Sequence, residues 1–473
     1  MAHPVLPLSL DRSSDLPLVL QVANQTRELV HTGSLRPGDR LPSIRALAAD
    51  VGIARAVVEH AYDQLIAEGW LTARRGAGTY VAQVGRLAVL TGARGSPTTA
   101  TVNAGTGGSD PSGSNKAGSD PVRLDTGSPW MDPRHDAGWR RAWREVSAAH
   151  IPRGYPDPAG LPELRAELAA YVSRTRGVSC TAEEVIVTGG TTHGFGLLLD
   201  VLTRGPIAIE DPGYRAAAAV TEQAGRAVID VPLDSDGLDV RALRSNRADI
   251  RAVYVTPAHQ HPLGITMSAG RRIALLAEAT RRGAMVVEDD YDSEFRYDVA
   301  PMPALAALDR DRVIYLGSAS KSVHPGLRIG WLIGPVDLIV AMSARRATRH
   351  DYPPWPLQRA FLSMLREGHL DKLVRSARRV YAGRSHVVAH ALSPYGKIIS
   401  RPAGMYLTVA LPGRLVEAVR TESWRAGFDV PSLAEYSRTC GMTGLVIGFG
   451  GLTDEELSRA LDVMTTALAR LSG

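Results

Sequence analysis

The chain has 473 residues, 44% hydrophobic and 22% charged, with a formal net charge of +5, which suits a globular protein of two or three domains with ample core. No apolar run approaches the roughly 20 residues that cross a bilayer, and Met-Ala-His-Pro opens no secretory pattern. Cys180 and Cys440 match no metal-ligand spacing, so no metal site is expected, and a reducing cytoplasm is the expected setting. The positive balance is compatible with nucleic acid but does not require it.

Leu18 to Val30 carries apolar residues at helical spacing and ends near Gly33. Pro37-Gly38-Asp39 is a turn signal, and Leu41-Pro42-Ser43 opens a second helix with Ser43 at its N-cap. Gly52 interrupts the chain, and a longer helix is predicted to about Glu68. A helix, a short turn and a second helix can lay one helix into the major groove of DNA. Arg74 to Val81 then reads as a β-hairpin. Residues 1–84 hold eight arginines and eight acids, so the placement of the arginines matters more than their sum.

From 91 to 121 the sequence is TGARGSPTTATVNAGTGGSDPSGSNKAGSDP, with no aromatic residue and Val102 as its one large aliphatic. Such a stretch builds no core and reads as a tether with a root-mean-square span of about 30 Å. The predicted organisation is a domain over 1–83, a linker over 84–121 and a large domain over 122–473. In the large domain, Val185–Thr188, Ile207–Glu210, Ala252–Val255, Met285–Glu288 and Val313–Leu316 are short apolar strands separated by helical stretches. That alternation predicts a mostly parallel sheet covered on both faces, with ligands beyond the strand ends.

The chain has four lysines against fifty arginines, and one of them, Lys321, sits in Gly317-Ser318-Ala319-Ser320-Lys321 downstream of Glu288-Asp289-Asp290-Tyr291-Asp292. Pyridoxal phosphate (PLP) needs a lysine for a Schiff base, an acid facing the pyridine nitrogen, a donor for the ring hydroxyl and a phosphate cup. Asp289 ends a buried strand and fits the acid, and Tyr291 fits the donor. Thr188-Gly189-Gly190-Thr191 follows a strand and starts a helix, the arrangement that gathers backbone N–H groups around an anion. Ser318 and Arg328 flank Lys321 and can add a hydroxyl and a cation.

LRPGDRLPSIRALAADVGIARAVVEHAYDQLIAEGWLTARRGAGTYVA resembles the GntR-type winged helix. The resemblance implies operator contacts from Ser43, Arg45 and Arg55, with Arg75, Gly76 and Thr79 on the wing. It departs from that family in having Ala54, Ala56 and Val57 around Arg55. RGYPDPAGLPELRAELAAY, EDPGYRAA, TPAHQHPLG, EDDYDSEFRY and GSASKSVHPGLRIGW resemble the aminotransferase-like domain of MocR/PdxR regulators. The resemblance therefore implies a multidomain chain, a winged helix-turn-helix (α+β) followed by an α/β fold type I PLP-dependent domain.

By that resemblance Lys321 carries the Schiff base, Asp289 pairs with the pyridine nitrogen and Tyr291 binds the ring hydroxyl. Tyr214 stacks on the ring, Gly190, Thr191, Ser318 and Arg328 hold the phosphate, and His259 and Gln260 lie near the ring hydroxyl. Tyr155 reaches the phosphate of a second copy, which implies a homodimer. His261, Leu263 and Tyr406 depart from the family pattern. The C-terminal strand around Leu445–Phe449 lacks the arginine that holds a substrate carboxylate, with Arg438 the nearest candidate and Arg215 better read as a surface residue. The implied function is a transcriptional regulator that binds double-stranded DNA under control of PLP, with or without an amine or amino acid; the alternative is a working aminotransferase carrying a DNA reader.

Overall fold

The computed structural model describes residues 6–14, 17–74, 78–82, 121–131, 136–297, 303–400 and 403–472. Three helices open the chain: α1 (Leu18–His31), α2 (Ile44–Asp50) and α3 (Arg55–Ala67). Ser43 caps α2, its hydroxyl accepting the Ala46 N–H at 3.2 Å, one of the donors that the first turn leaves free. Helix α3 buries Val58, Ala61, Tyr62 and Leu65 against Val22 and Ala23 of α1 and Leu47 of α2. Arg27 and Glu68 form a buried ion pair at 2.7 Å that ties α1 to the end of α3.

The hairpin that follows, β1 (Leu71–Arg74) and β2 (Gly78–Val81), begins three residues earlier than the sequence suggests. Leu71 and Val81 face each other and are both buried, so tertiary packing recruits them into the sheet. Arg75 and Gly76 lie outside the described residues, as does the expected linker up to residue 120.

Beyond it come β3 (Val122–Arg123), α4 (Asp136–Ala148), α5 (Pro162–Arg176), β4 (Val185–Thr188), α6 (Thr191–Val201), β5 (Ile207–Asp211) and α7 (Arg215–Gln223). Next are β6 (Val228–Asp234), β7 (Gly237–Leu238), α8 (Val240–Ser245), β8 (Ala252–Val255), α9 (Ala269–Arg282), β9 (Met285–Asp290), β10 (Val313–Ser318) and β11 (Gly330–Ile333). Among the described residues the central sheet has the order β4-β11-β10-β9-β8-β5-β6-β7. Strands β10, β9, β8, β5 and β6 run parallel.

Strand β11 pairs antiparallel with both β10 and β4. Between β10 and β11 there is only a turn and a short 3-10 helix, too little for the crossover a parallel return requires. That tight return carries Lys321. Val185, Ile186 and Val187 are each at most 1% exposed, as expected of a strand covered on both faces.

Helices α10 (Val336–Arg349), α11 (Trp355–Arg366) and α12 (His369–Leu392) lead to a second, antiparallel sheet. It holds β12 (Lys397–Ile398), β13 (Tyr406–Ala410) and β15 (Gly444–Gly448), with α13 (Gly413–Arg425), β14 (Phe428–Asp429) and α14 (Asp454–Ser472) around it. Strand β14 pairs with β3, so the segment just after residue 121 is locked into this C-terminal unit. Among the described residues no helix is long and apolar enough to cross a membrane.

The core of the N-terminal unit continues into the large one. Ala269 and Ile273 of α9, together with Leu308, pack onto it, and the Ala269 N–H donates to the Glu68 carbonyl at 3.2 Å.

Candidate cofactor site and DNA-reading face

Strand alternation sorts the three acids that end β9. Glu288 and Asp290 point to one face of the sheet and Asp289 to the other. Glu288 accepts the Leu305 and Ala306 N–H groups at 2.8 and 3.0 Å. Asp290 is held by Arg176 and by the Tyr315 hydroxyl, each at 2.6 Å, and both members of the ion pair are almost fully buried. Asp289 alone faces a cavity of about 430 Å³ beyond the strand ends, within the range of small-ligand sites.

The cavity collects the carboxyl ends of several strands. Lys321, Asp289, Tyr291, Tyr214, Gly190, Thr191, Ser318 and Arg328 all line it. Asp289 takes a hydrogen bond from the Tyr254 hydroxyl, while its Oδ1 is buried without one. Burial pushes its carboxyl up to about 7, with the charge of Asp290 adding to it, while the hydrogen bond from the Tyr254 hydroxyl pulls it down. A carboxyl so placed is short of a cation. Lys321 donates from Nζ to the Gly127 carbonyl at 2.9 Å. Burial lowers its pKa, against the pull of Asp125, Asp292 and Asp289.

At the other end, Gly190 has φ +105° and caps α6, whose first residues Thr191 and Thr192 line the cavity with it, so the free first-turn N–H groups of a helix lie at this wall. A Cβ on Gly190 would lie 3.3 Å from the Arg328 guanidinium, so glycine leaves room for an anion between backbone and cation. Ser318 Oγ bonds to Ser320 Oγ at 2.8 Å beside them. An anion cup, a buried acid with one unbonded oxygen and an amine at one cavity fit a flat ring bearing a phosphate and a carbonyl. Tyr214 stands at the wall with its hydroxyl 3.0 Å from Thr192 Oγ1.

Two expected residues do not line the cavity. His259 and Gln260 stand behind the wall: the His259 carbonyl accepts from the Tyr291 hydroxyl at 2.9 Å, and its ring is held by Asp292 at 2.7 Å. The Gln260 amide is consumed by the turn around it, donating to the His261 and Pro212 carbonyls at 2.7 and 3.0 Å. Tyr155 is 76% exposed and stacked on Tyr352, away from the cavity of its own chain.

His261 and Thr256 occupy the wall instead, and Tyr406 bonds to the Tyr291 hydroxyl at 2.8 Å. Burial, with the charges of Lys321 and His259, pushes His261 down to about 3, so it is neutral at pH 7. Asp125, Thr126 and Ser128 also line the cavity. Sequence reasoning passed over them because they follow the linker directly, where no periodicity marks a site.

Arg438 does not reach the cavity. It is held by Asp230 and Glu222, both at 2.9 Å, and with Arg215 it lines a separate cleft of about 650 Å³ behind Tyr214.

On the N-terminal unit, Arg45 on the first turn of α2 and Arg55 at the first position of α3 are both exposed. Thr79 lies on β2, where its carbonyl accepts the Leu41 N–H at 2.9 Å. Arg40, not singled out from the sequence, lies against the wing: a Cβ on Gly78 would sit 3.2 Å from its Nε. Its neighbours Asp39 and Leu41 were legible as turn and core, which masked it.

Residues 18–81 match the family of bacterial regulatory proteins described as gntR, and residues 120–464 match aminotransferase class I and II. The chain is similar to the HTH-type pyridoxine biosynthesis transcriptional regulator PdxR of Corynebacterium glutamicum, 33% identical over 98% of this chain and 99% of the other. It is similar also to the probable rhizopine catabolism regulatory protein MocR of Rhizobium meliloti, 31% identical over 98% and 96%. Among solved structures it is similar to an archaeal alanine:glyoxylate aminotransferase, with a TM-score of 0.68 at 26% identity over 75% of this chain and 92% of that one.

Proposed function

The chain belongs to the MocR/PdxR-type transcriptional regulators, a GntR-type reader joined to an aminotransferase class I and II domain, and on that premise we propose that PLP held at Lys321 sets how tightly the reader grips its operator. The reading takes 1–83 as the reader, 84–121 as the linker and 122–473 as the cofactor and dimerisation domain of a cytoplasmic homodimer. Two readers would then meet paired half-sites on double-stranded DNA.

The observation that carries it is the convergence of the Lys321 amine, the Asp289 carboxyl with its buried, unbonded Oδ1, and the Gly190–Arg328 cup on one cavity. PLP bound there supplies a carbonyl that captures amines and an electron-withdrawing ring. Lys321 would hold it covalently, Asp289 would face the ring nitrogen, and Tyr291 would donate to the ring hydroxyl. Tyr214 would cover one ring face, while Gly190, Thr191, Ser318 and Arg328 would hold the phosphate. His259 and Gln260 would act from behind Tyr291, and Tyr155 would serve the second copy's pocket. Ser43, Arg45, Arg55, Arg75, Gly76 and Thr79 would meet DNA, Arg55 by a guanidinium fork on guanine or phosphate.

Coupling has a physical route. Glu288, next to Asp289, anchors the Leu305–Ala306 turn, and Leu308 at the end of that turn packs on the reader. A ligand that moves the end of β9 therefore bears on the reader's seat, and it shifts operator affinity by as much as its affinities for the two arrangements differ.

The test is operator binding by the full-length protein with and without PLP, beside Lys321→Ala. A PLP-dependent change in the wild type that is lost in the variant supports the reading. Equal affinity in all four conditions refutes it, and sustained turnover of amino donors with keto acids would instead support a working aminotransferase.

A further inference from the structure

The segment Leu124-Asp125-Thr126-Gly127-Ser128 is held more rigidly than its place after a linker suggests. Leu124 is fully buried, its N–H donates to Asp429 O at 2.9 Å and its carbonyl accepts the Gly448 N–H at 3.0 Å. A Cβ on Gly448 would lie 1.8 Å from the Asp125 carbonyl, so only glycine lets β15 approach the segment so closely. From that anchor, Asp125 Oδ1 accepts the Gly127 and Ser128 N–H groups at 2.6 and 2.8 Å and turns the chain. The turn aims the Gly127 carbonyl into the cavity, where it receives the Lys321 ammonium at 2.9 Å. A primary ammonium is therefore already seated on this wall, supplied by the chain itself.

Charge matching says what replaces it. The matching holds if PLP occupies Lys321, the reading proposed above. A bound phosphate uses Arg328, a protonated ring nitrogen uses Asp289, and the Lys321 nitrogen is engaged by the cofactor. Gly127 O then lacks its donor, and Asp125 is the charge on the cavity wall left without a match. Among the described lining residues the cations are Lys321 and Arg328, both committed. His261 is neutral, Arg438 is held by Asp230 and Glu222, and Leu445, Val446 and Ile447 of β15 are fully buried apolar residues.

We propose that the effector is a small aliphatic diamine, a ligand with a second ammonium and no carboxylate, which binds beside the PLP–Lys321 linkage without displacing the lysine and whose far nitrogen is held by Asp125 and the Gly127 carbonyl. A ligand carboxylate in that position would face Asp125 with no cation to receive it, whereas an ammonium gains a charge-assisted hydrogen bond.

Three probes differing only at the far end decide it: putrescine, butylamine and γ-aminobutyrate, titrated by calorimetry into the full-length protein loaded with PLP. Putrescine is expected to bind about tenfold or more tightly than butylamine, the factor of a single charge-assisted contact, and γ-aminobutyrate more weakly than both. Asp125→Asn keeps an oxygen for the Gly127 and Ser128 N–H groups, so the turn persists. It should erase the putrescine advantage, read as the ratio of putrescine to butylamine affinity within each protein. Raising the salt concentration should shrink the same advantage in the wild type, without any substitution.

Tighter or equal binding of γ-aminobutyrate, or a putrescine preference that survives both Asp125→Asn and high salt, overturns the proposal while leaving the PLP reading intact. A visible absorption spectrum that is the same for free PLP, for PLP with the wild type and for PLP with Lys321→Ala would overturn that reading and this proposal with it.

Discussion

Asp289→Asn separates function from stability in opposite directions. The Asp289 carboxyl is pushed up to about 7 by burial and, to a lesser degree, by the charge of Asp290, from an ordinary 3.8. A group whose folded pKa is raised binds an extra proton in the folded state between those two values. It therefore destabilises the cofactor-free fold progressively as the pH rises from about 4 to about 7, and by a constant amount above that. At about 1.4 kcal/mol per unit, the cost at high pH is of order 4 kcal/mol.

Asparagine cannot ionise, and its amide oxygen can still accept the Tyr254 hydroxyl. Cofactor-free Asp289→Asn should therefore gain stability relative to the wild type by roughly 2–3 kcal/mol more at about pH 8.5 than at about pH 5. Other buried acids pushed up to about 7, such as Glu210 and Glu288, are common to both proteins and largely cancel in the difference. Urea unfolding at the two pH values measures the gap, and PLP titration followed by visible absorption measures the loss of cofactor affinity. A stability difference that is the same at both pH values would refute the assignment of Asp289 as a desolvated acid awaiting a cation.

Arg55→Ala, and separately Arg45→Ala, should each weaken operator binding by about 1–3 kcal/mol if it reads a base, with wild-type affinity falling steeply as salt rises; unchanged affinity in both removes this face from the groove. Arg176→Met should cost about 3–5 kcal/mol in urea unfolding because Asp290 is left buried without its ion-pair partner, and adding Asp290→Asn should recover part of that loss. No recovery would place the cost in packing rather than charge. Gly448→Ala should cost about 1–3 kcal/mol, since its Cβ would collide with the Asp125 carbonyl. A wild-type melting temperature in that variant would mean that the Asp125 wall is loosely held.

Periodicity and local chemistry carried a large part of this protein. The helices of the reader, the short apolar strands and the mostly parallel sheet follow from apolar spacing, Ser43 as a cap, and glycine at strand-to-helix turns. Lys321, Asp289, Tyr291 and the Gly190 turn could be read as one site because each is a local motif at a strand end, and strand ends of such a sheet meet at one edge.

The sequence could not say which side chains reach the cavity and which serve the scaffold. Gln260 and His259 are near the site in sequence, yet nearby backbone carbonyls and Asp292 hold their polar groups behind the wall. Arg438 is drawn off by acids more than two hundred residues away in the chain. Asp125 enters the cavity because β14 and β15 clamp its segment, a contact between residues over three hundred apart. Local pattern determines the elements and their polar ends; competition for buried hydrogen bonds and charges, settled only when distant segments meet, determines what each polar group is left free to do.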